Sequence, residues 1–147
     1  MNAILGGGMS SRLFRTLRDE EGLAYSVGSA YPTRHGTGRI VVHLGTAPAS
    51  AGPAEAGIRR EIERLRHEGV GEDELARTKT YMTGAFALDR RTNARQGFSL
   101  ALYELLGVGA DYVHRYPALV DSVSADDVAR VAAQYLVEPA VVVVAPA

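Results

Sequence analysis

The stretch that decides the fold runs from Gly6 to Tyr25 and reads GGGMSSRLFRTLRDEEGLAY. Two serines follow the three glycines and can accept the first free N–H groups of a helix. An apolar stripe then repeats at helical spacing, formed by Leu13, Phe14 and Leu17. Gly22 suits the left-handed residue that commonly ends a helix. The stretch therefore predicts a helix that has a start, a buried face and an end.

Two candidate functional side chains lie where this predicted helix ends. Arg18 comes four residues after Phe14, so it flanks the apolar stripe. Tyr25 follows seven residues later, at the start of the first predicted strand. A guanidinium and a phenol can therefore face one cleft from adjoining elements. The structural alternative stays open, because the helix dipole favours a cation in the last turn by ~0.3–1 kcal/mol and Tyr25 can be an ordinary sheet tyrosine.

Composition limits the classes of protein to which the chain can belong. Its 147 residues fit one domain. A formal net charge of −1 gives no basic excess for nucleic acid or anionic lipid. The absence of cysteine excludes disulfides and thiolate metal sites. The first residues show no charged leader followed by an apolar run, and no run is long enough to cross a bilayer, so we expect a cytoplasmic location.

The remaining pattern predicts two strands, about five helices and a final strand. Alternation at 24–32 and 39–46 indicates a β-hairpin, joined by the turn Thr33–Gly38. Helices are expected near 53–68, 72–88, 93–106, 110–123 and 124–136. The run Val141–Val144 is typical of a strand covered on both faces.

Several local details follow for the later helices. Pro117 is expected to kink its helix or to restart it. Ser124, with Asp127 three residues on, resembles a capping box. The buried set of helix 93–106 is expected to be Phe98, Leu102 and Leu105 or Leu106.

These elements predict an α+β fold with a mixed or antiparallel sheet and helices packed mainly on one face. Three strands make a thin sheet for so many helices, and a buried strand needs neighbours on both sides. We therefore expect residues 1–147 to form a single domain that lacks an N-terminal strand and helix.

No metal site is expected in this chain. The four histidines, His35, His43, His67 and His114, lie on separate predicted elements. None forms His-x-x-Glu-His or its inversion, and metal sites need converging ligands. His43 is instead expected to be a partly buried histidine with one hydrogen bond.

Gly6, Gly7 and Gly8 are a weak candidate for substrate or anion binding. Backbone N–H groups at the start of a helix attract anions. The run lacks the Gly-Lys-Ser/Thr ending of a P-loop, and it is not G-x-G-x-x-G after a strand. The favoured interpretation is structural: a tight loop that lets the backbone approach a neighbouring element.

Residues 5–29, LGGGMSSRLFRTLRDEEGLAYSVGS, resemble the signature of the C-terminal half of the pitrilysin/insulinase family of zinc metallopeptidases, which includes the mitochondrial processing peptidases. The similarity continues through LGTAP at 44–48 and GVGEDELARTKTYMTGAFAL at 69–88. It extends through DYVHRYPALVDSVSADDVARVAAQYL at 111–136 to the valine run. It thus covers nearly the whole chain.

The resemblance implies a division of labour between two halves. Members of the family consist of paired α+β domains or subunits that enclose a peptide chamber. One half carries the zinc motif His-x-x-Glu-His with a further Glu. The other half contributes an arginine and a tyrosine seven residues apart, which Arg18 and Tyr25 match. By resemblance, this pair grips the substrate backbone and stabilises the carbonyl oxygen as it becomes an oxyanion.

The expected function is therefore that of the substrate-binding, non-zinc half of a metalloendopeptidase. The chain lacks the zinc motif, so we expect no cofactor in it, zinc on a partner half, and no hydrolase activity from the chain alone. The expected partners are that zinc-bearing half or subunit and a peptide substrate, in a dimer or higher oligomer. Two alternatives stay open: a catalytically silent scaffold of the same fold, and an anion-binding module that uses Gly6–Gly8.

Overall fold

The computed structural model describes residues 1–32 and 36–145. His35 and the first residues of the predicted turn Thr33–Gly38 therefore lie outside the described residues. The element order is a short helix, a hairpin and then five longer helices, which confirms the predicted α+β class.

The hairpin is preceded by two short helical pieces. Helix α1 spans Asn2–Gly6, and a π-helical segment, named here the π segment, spans Phe14–Glu20. Strands β1 (Ser26–Ala30) and β2 (Val41–Gly45) pair in antiparallel register, with Ser26 opposite Gly45. Both strands are shorter than the sequence predicts.

Five helices follow a single 3-10 turn at Pro48–Ser50. Their bounds are α2 Ala51–Glu68, α3 Glu72–Asp89, α4 Asn93–Leu105, α5 Tyr112–Asp121 and α6 Ala125–Tyr135. No helix in the described ranges is long and apolar enough to cross a membrane.

The core lies between the N-terminal pieces, β1, α2 and α6. Its buried members are Ile4, Leu5, Leu13, Leu17, Ala24, Val27, Ile62, Leu65, Val70, Val128, Ala132 and Leu136. On β2 the side chains alternate: Val42 and Leu44 pack against this core, and Val41 and His43 are exposed. The π segment is thereby held between the hairpin and α2.

Local signals set several helix ends as expected. Gly69 follows α2 with a positive φ of 67°. Ser124 and Asp127 form the predicted capping box of α6. Pro117 lies inside α5 and does not restart it. Proline removes the usual donor to the carbonyl four residues earlier, and the Arg90 guanidinium donates to that carbonyl, on Val113, at 3.5 Å.

The predicted buried set of helix 93–106 is wrong at Phe98 and at Leu105, whereas Leu102 and Leu106 are half-buried. Phe98 is 55% exposed and Leu105 is 72% exposed, whereas Ser99 is the buried residue of α4. The reason lies in the neighbours of this helix, since α4 packs mainly along α5 and most of its circumference faces solvent.

The predicted buried strand at Val141–Val144 is also wrong. These residues form no strand, and Val142 and Val144 are 86% and 93% exposed. A strand covered on both faces needs neighbours at both edges, and within residues 1–32 and 36–145 the sheet consists of β1 and β2 alone. The valines have the composition of a buried strand, but in the described residues no neighbouring strand pairs with them.

Candidate functional site

Arg18 lies in the π segment instead of the regular α-helix that the sequence predicts. The wide turn is visible in the hydrogen bond from the Glu21 N–H to the Thr16 carbonyl, 2.9 Å long and five residues back. Such turns are rare in proteins, and they occur frequently at functional sites. The segment therefore marks this part of the chain independently of the residue types on it.

Gly22 ends the π segment as predicted. Its φ of 62° lies in the left-handed region, where glycine has no steric cost. The N–H of Leu23 then donates to the Leu17 carbonyl at 2.8 Å, which closes the last turn. This tight reversal brings Tyr25, the residue before β1, back beside the exit of the segment.

The structure brings the two predicted site residues together. The Cζ atom of Arg18 lies 5.3 Å from the ring centroid of Tyr25 and 4.5 Å from that of Phe14. Both distances are within the range of cation–π attraction. Tyr25 is 86% exposed. In the described part of the chain no carboxylate forms a salt bridge with Arg18. The guanidinium is thus positioned by aromatic rings and not by a counter-charge.

The neighbouring arginines have different surroundings. Arg12 donates through two nitrogens to Glu74, at 2.9 and 2.7 Å, and to the Gly69 carbonyl at 2.7 Å. Arg15 is exposed and lies 3.8 Å from Glu20. Arg12 ties the N-terminal region to the start of α3, so it is structural. Arg15 is the matched surface control for Arg18.

Close packing accounts for the three glycines of the N-terminal loop. A Cβ on Gly6 would lie 2.5 Å from the Ser29 nitrogen, and one on Gly7 would lie 2.7 Å from the Ala3 Cα. A Cβ on Gly8 would meet the Tyr81 ring at 3.1 Å.

Hydrogen bonds at this loop also differ from an anion cradle. The hydroxyl of Tyr81 donates to the Gly7 carbonyl at 3.1 Å. Ser11 does not cap a helix, because its hydroxyl donates to the Gly8 carbonyl at 2.6 Å. The packing and the bonds supply a structural reason for the glycines that requires no ligand.

The histidines that the structure describes stay apart. The Nε2 atom of His67 lies 3.0 Å from the Glu63 carboxylate on the exposed face of α2, and the hydrogen bond from Arg66 lowers the pKa of that carboxyl. His43 is exposed, so the expectation of a partly buried histidine is wrong. The two-stranded sheet leaves its outer face open, which explains the difference. Within the described ranges no three His, Asp or Glu side chains converge in a way that could hold a metal ion.

An open recess of about 510 Å³ lies beside Tyr25. Residues 22–26 form one wall, and residues 45–47 with Ser50 form the other. The Thr46 hydroxyl donates to the Leu23 carbonyl at 2.6 Å and ties the walls together. Sequence reasoning missed this recess, because its walls are separated by the whole hairpin and no local motif joins them.

Comparisons with known proteins show the family to which the chain belongs. Residues 1–82 match the family model described as the peptidase M16 inactive domain. The chain belongs to this family. This confirms the resemblance to the non-zinc C-terminal half of the pitrilysin-type peptidases. Arg18, Tyr25 and both walls of the recess lie within the matched residues of this M16 inactive domain.

Relatives of this M16 inactive domain include bacterial zinc proteases. An uncharacterized zinc protease of Bacillus subtilis is 33% identical over 65% of this chain and 24% of its own length. One of Streptomyces coelicolor is 32% identical over 92% of this chain and 30% of its own length. The chain thus spans about a quarter to a third of the length of these curated relatives.

Solved structures share the fold. A conserved protein of Enterococcus faecalis superposes with a TM-score of 0.78 at 25% identity, over 89% of this chain and 30% of its own. The peptidase M16 inactive domain of Pseudomonas fluorescens gives a TM-score of 0.82 at 20% identity, over 91% and 32%. The inactive peptidase domain of a putative zinc protease from Bordetella parapertussis gives 0.78 at 21% identity, over 92% and 74%.

Proposed function

We propose that this M16 inactive domain is the substrate-binding half of a zinc metalloendopeptidase and that it acts together with a zinc-bearing half. The observation that carries the proposal is the Arg18–Tyr25 pair. Its cation has no carboxylate partner within the described residues and lies 5.3 Å from the centroid of a ring that is largely exposed. Both side chains are therefore available to a ligand.

The chemistry of the pair suits a peptide bond under attack. A guanidinium offers several N–H donors in a planar fork, and a phenol offers one O–H donor. When a nucleophile adds to the peptide carbonyl, its oxygen gains negative charge, and donors already in place stabilise that charge. The Phe14 and Tyr25 rings hold the Arg18 guanidinium in place before substrate binds. The Arg18 side chain therefore loses less conformational entropy on binding.

The proposed partner is a zinc-bearing peptidase half, in a dimer or higher oligomer. Zinc held there would supply Lewis-acid chemistry and an activated water. Two observations support a partner: the zinc-protease relatives are three to four times longer than the matched part, and large apolar side chains such as Leu88 and Leu105 are exposed. The chain alone is expected to be inactive, and the cytoplasmic location stays a prediction.

A silent scaffold of the same fold is the second candidate. It is favoured by the contact between Arg18 and the Phe14 ring, because this contact joins two residues of the π segment and can stabilise the segment without any ligand. The third candidate, an anion-binding module at Gly6–Gly8, is less well supported, because neighbouring atoms occupy the space around these glycines.

Substitutions at the pair distinguish these candidates in a complex with a zinc-bearing half. Tyr25→Phe removes one hydroxyl from an exposed ring, so the fold should persist. We expect kcat to fall by roughly 10²–10³, as for loss of another single oxyanion donor. KM should change less, because the hydrogen bond strengthens in the transition state. Steady-state cleavage of a fluorogenic peptide measures both constants.

Arg18→Lys keeps the charge but loses the planar fork, so it should weaken peptide binding as well. Arg15→Lys is the control and should leave both constants unchanged, whereas Arg12→Lys is unsuitable because Arg12 holds Glu74. Full activity in both Tyr25→Phe and Arg18→Lys would contradict the proposal and favour the scaffold.

A further inference from the structure

The recess beside Tyr25 adjoins the proposed peptide-contact pair. The two strands are in register at Ser26 and Gly45, and the chains separate beyond this pair. The Thr46 hydroxyl donates to the Leu23 carbonyl across the gap. The cavity between the two walls is open to solvent. Because Tyr25 itself forms part of the lining, a peptide that contacts Tyr25 would lie beside the recess.

The lining is uncharged and small. None of the residues at 22–26, 45–47 and 50 carries a formal charge. Four of them, Gly22, Ala24, Gly45 and Ala47, have no side chain or only a methyl group. The nearest carboxylate along the chain, on Glu21, pairs with Arg60. An ionised side chain that contacts these walls would lose only part of its hydration, but it would meet no counter-charge, which is unfavourable.

We propose that this recess is a subsite for one uncharged aliphatic side chain of a peptide substrate. The inference rests on the proposed function, because it takes the Arg18–Tyr25 pair to contact the peptide backbone. An aliphatic side chain would cover apolar surface at Leu23 and Ala47 and requires no polar partner. The site therefore selects substrates by a side chain, whereas the pair contacts any backbone.

Peptide titrations of the ¹⁵N-labelled full chain, followed by NMR, test the subsite. The probes are acetyl-Gly-Ser-Gly-X-Gly-Ser-Gly-amide, with Leu, Ala, Asp or Lys at X, so X carries the only large side chain. We expect the Leu peptide to bind about tenfold more tightly than the Asp or Lys peptide. Its binding should shift the amide signals of residues 22–26 and 45–47.

Ala47→Leu should fill the recess and remove the preference for the Leu peptide. Ala49→Leu is the matched control, because Ala49 lies on the 3-10 turn that Ala47 precedes, is exposed and does not line the recess. Gly45→Leu is a second filling variant, since a Cβ there has only the Ser26 carbonyl oxygen nearby, at 4.0 Å. Both filling variants should keep the remaining amide signals in place.

The outcomes separate the two proposals. Equal affinities for all four peptides, with shifts near Tyr25, would overturn the subsite and leave the proposed function standing. Shifts confined to another surface would overturn the subsite as well. No binding of any peptide by the chain, alone or with a zinc-bearing half, would overturn the proposed function together with the subsite.

Discussion

Arg12, Arg15 and Arg18 share one short stretch of chain, and each has a different environment. Arg12 bonds to Glu74, Arg15 faces solvent near Glu20, and Arg18 packs against two aromatic rings. Their spacing along the sequence distinguishes Arg18 through its relation to Tyr25. It does not reveal that Arg12 is structural, because Glu74 lies 62 residues away in sequence.

Asp127 shows how one hydroxyl sets the ionisation of a carboxyl group. Hydrogen bonds from the Ser124 side chain, then from its backbone N–H and from Arg130, lower the pKa of Asp127 from 3.8 to about 2. Because the pKa in the folded state lies below that in the unfolded state, the ionised box stabilises the fold above about pH 4. That contribution is lost as the pH falls from 4 towards 2.

We therefore expect Ser124→Ala to raise the pKa of Asp127 towards its ordinary value. The same change should lower the thermal midpoint at pH 6, and the difference from the parent chain should shrink as the pH approaches 2. NMR titration of the carboxyl and thermal melts at several pH values measure the two effects. Ser122→Ala is the control, because the Ser122 hydroxyl donates to the Leu119 carbonyl and not to Asp127. An ordinary pKa for Asp127 in the parent chain would contradict this account.

At the scale of elements, two helical glycines predict different responses to substitution by alanine. Gly84 lies inside α3 with nothing within 4 Å of an added Cβ, so Gly84→Ala should raise the free energy of unfolding by about 0.5–1 kcal/mol. Gly57 lies inside α2, where an added Cβ would overlap Leu17, a fully buried residue of the π segment. Gly57→Ala should not raise the free energy of unfolding in this way, because the buried Leu17 side chain must move to make room for the methyl group.

Urea denaturation of both alanine variants measures this difference. Since Leu17 precedes Arg18, Gly57→Ala should also shift the NMR signals around Tyr25, whereas Gly84→Ala should not. Equal stabilisation by the two changes would show that the contact between α2 and the π segment is looser than its geometry indicates.

The sequence predicts element ends better than element types. Gly22, Gly69 and the Ser124–Asp127 box are local signals, and each ends or begins a helix as expected. The π segment is missed, because Leu13 and Leu17 are buried in it as they would be in an α-helix. Spacing by four residues does not distinguish the two kinds of turn.

At the scale of the whole molecule, the sequence-based predictions fail where they depend on which segments pack against each other. The exposed faces of α4 and the recess between 22–26 and 45–47 depend on how distant segments pack, so no local pattern contains them. The pairing of Arg18 with Tyr25 was predictable, because one glycine turn links the two. The roles of this pair rest on the proposed function.

The exposed valine run has a consequence for the protein in concentrated solution. Residues 140–145 read AVVVVA, carry no charge, and in the described part of the chain form no strand pairing. Short uncharged segments rich in β-branched residues are typical of steric zippers, in which identical strands from many chains stack into cross-β fibrils. We expect the chain to form thioflavin-positive fibrils after a lag, and Val142→Lys to suppress them without changing the thermal midpoint, since Val142 is 86% exposed. Val142→Ile is the control that should still form fibrils. Equal fibril formation by the Lys and Ile variants would place the nucleating segment elsewhere. If the valines do nucleate the fibrils, a partner strand that covers them would also prevent fibril formation.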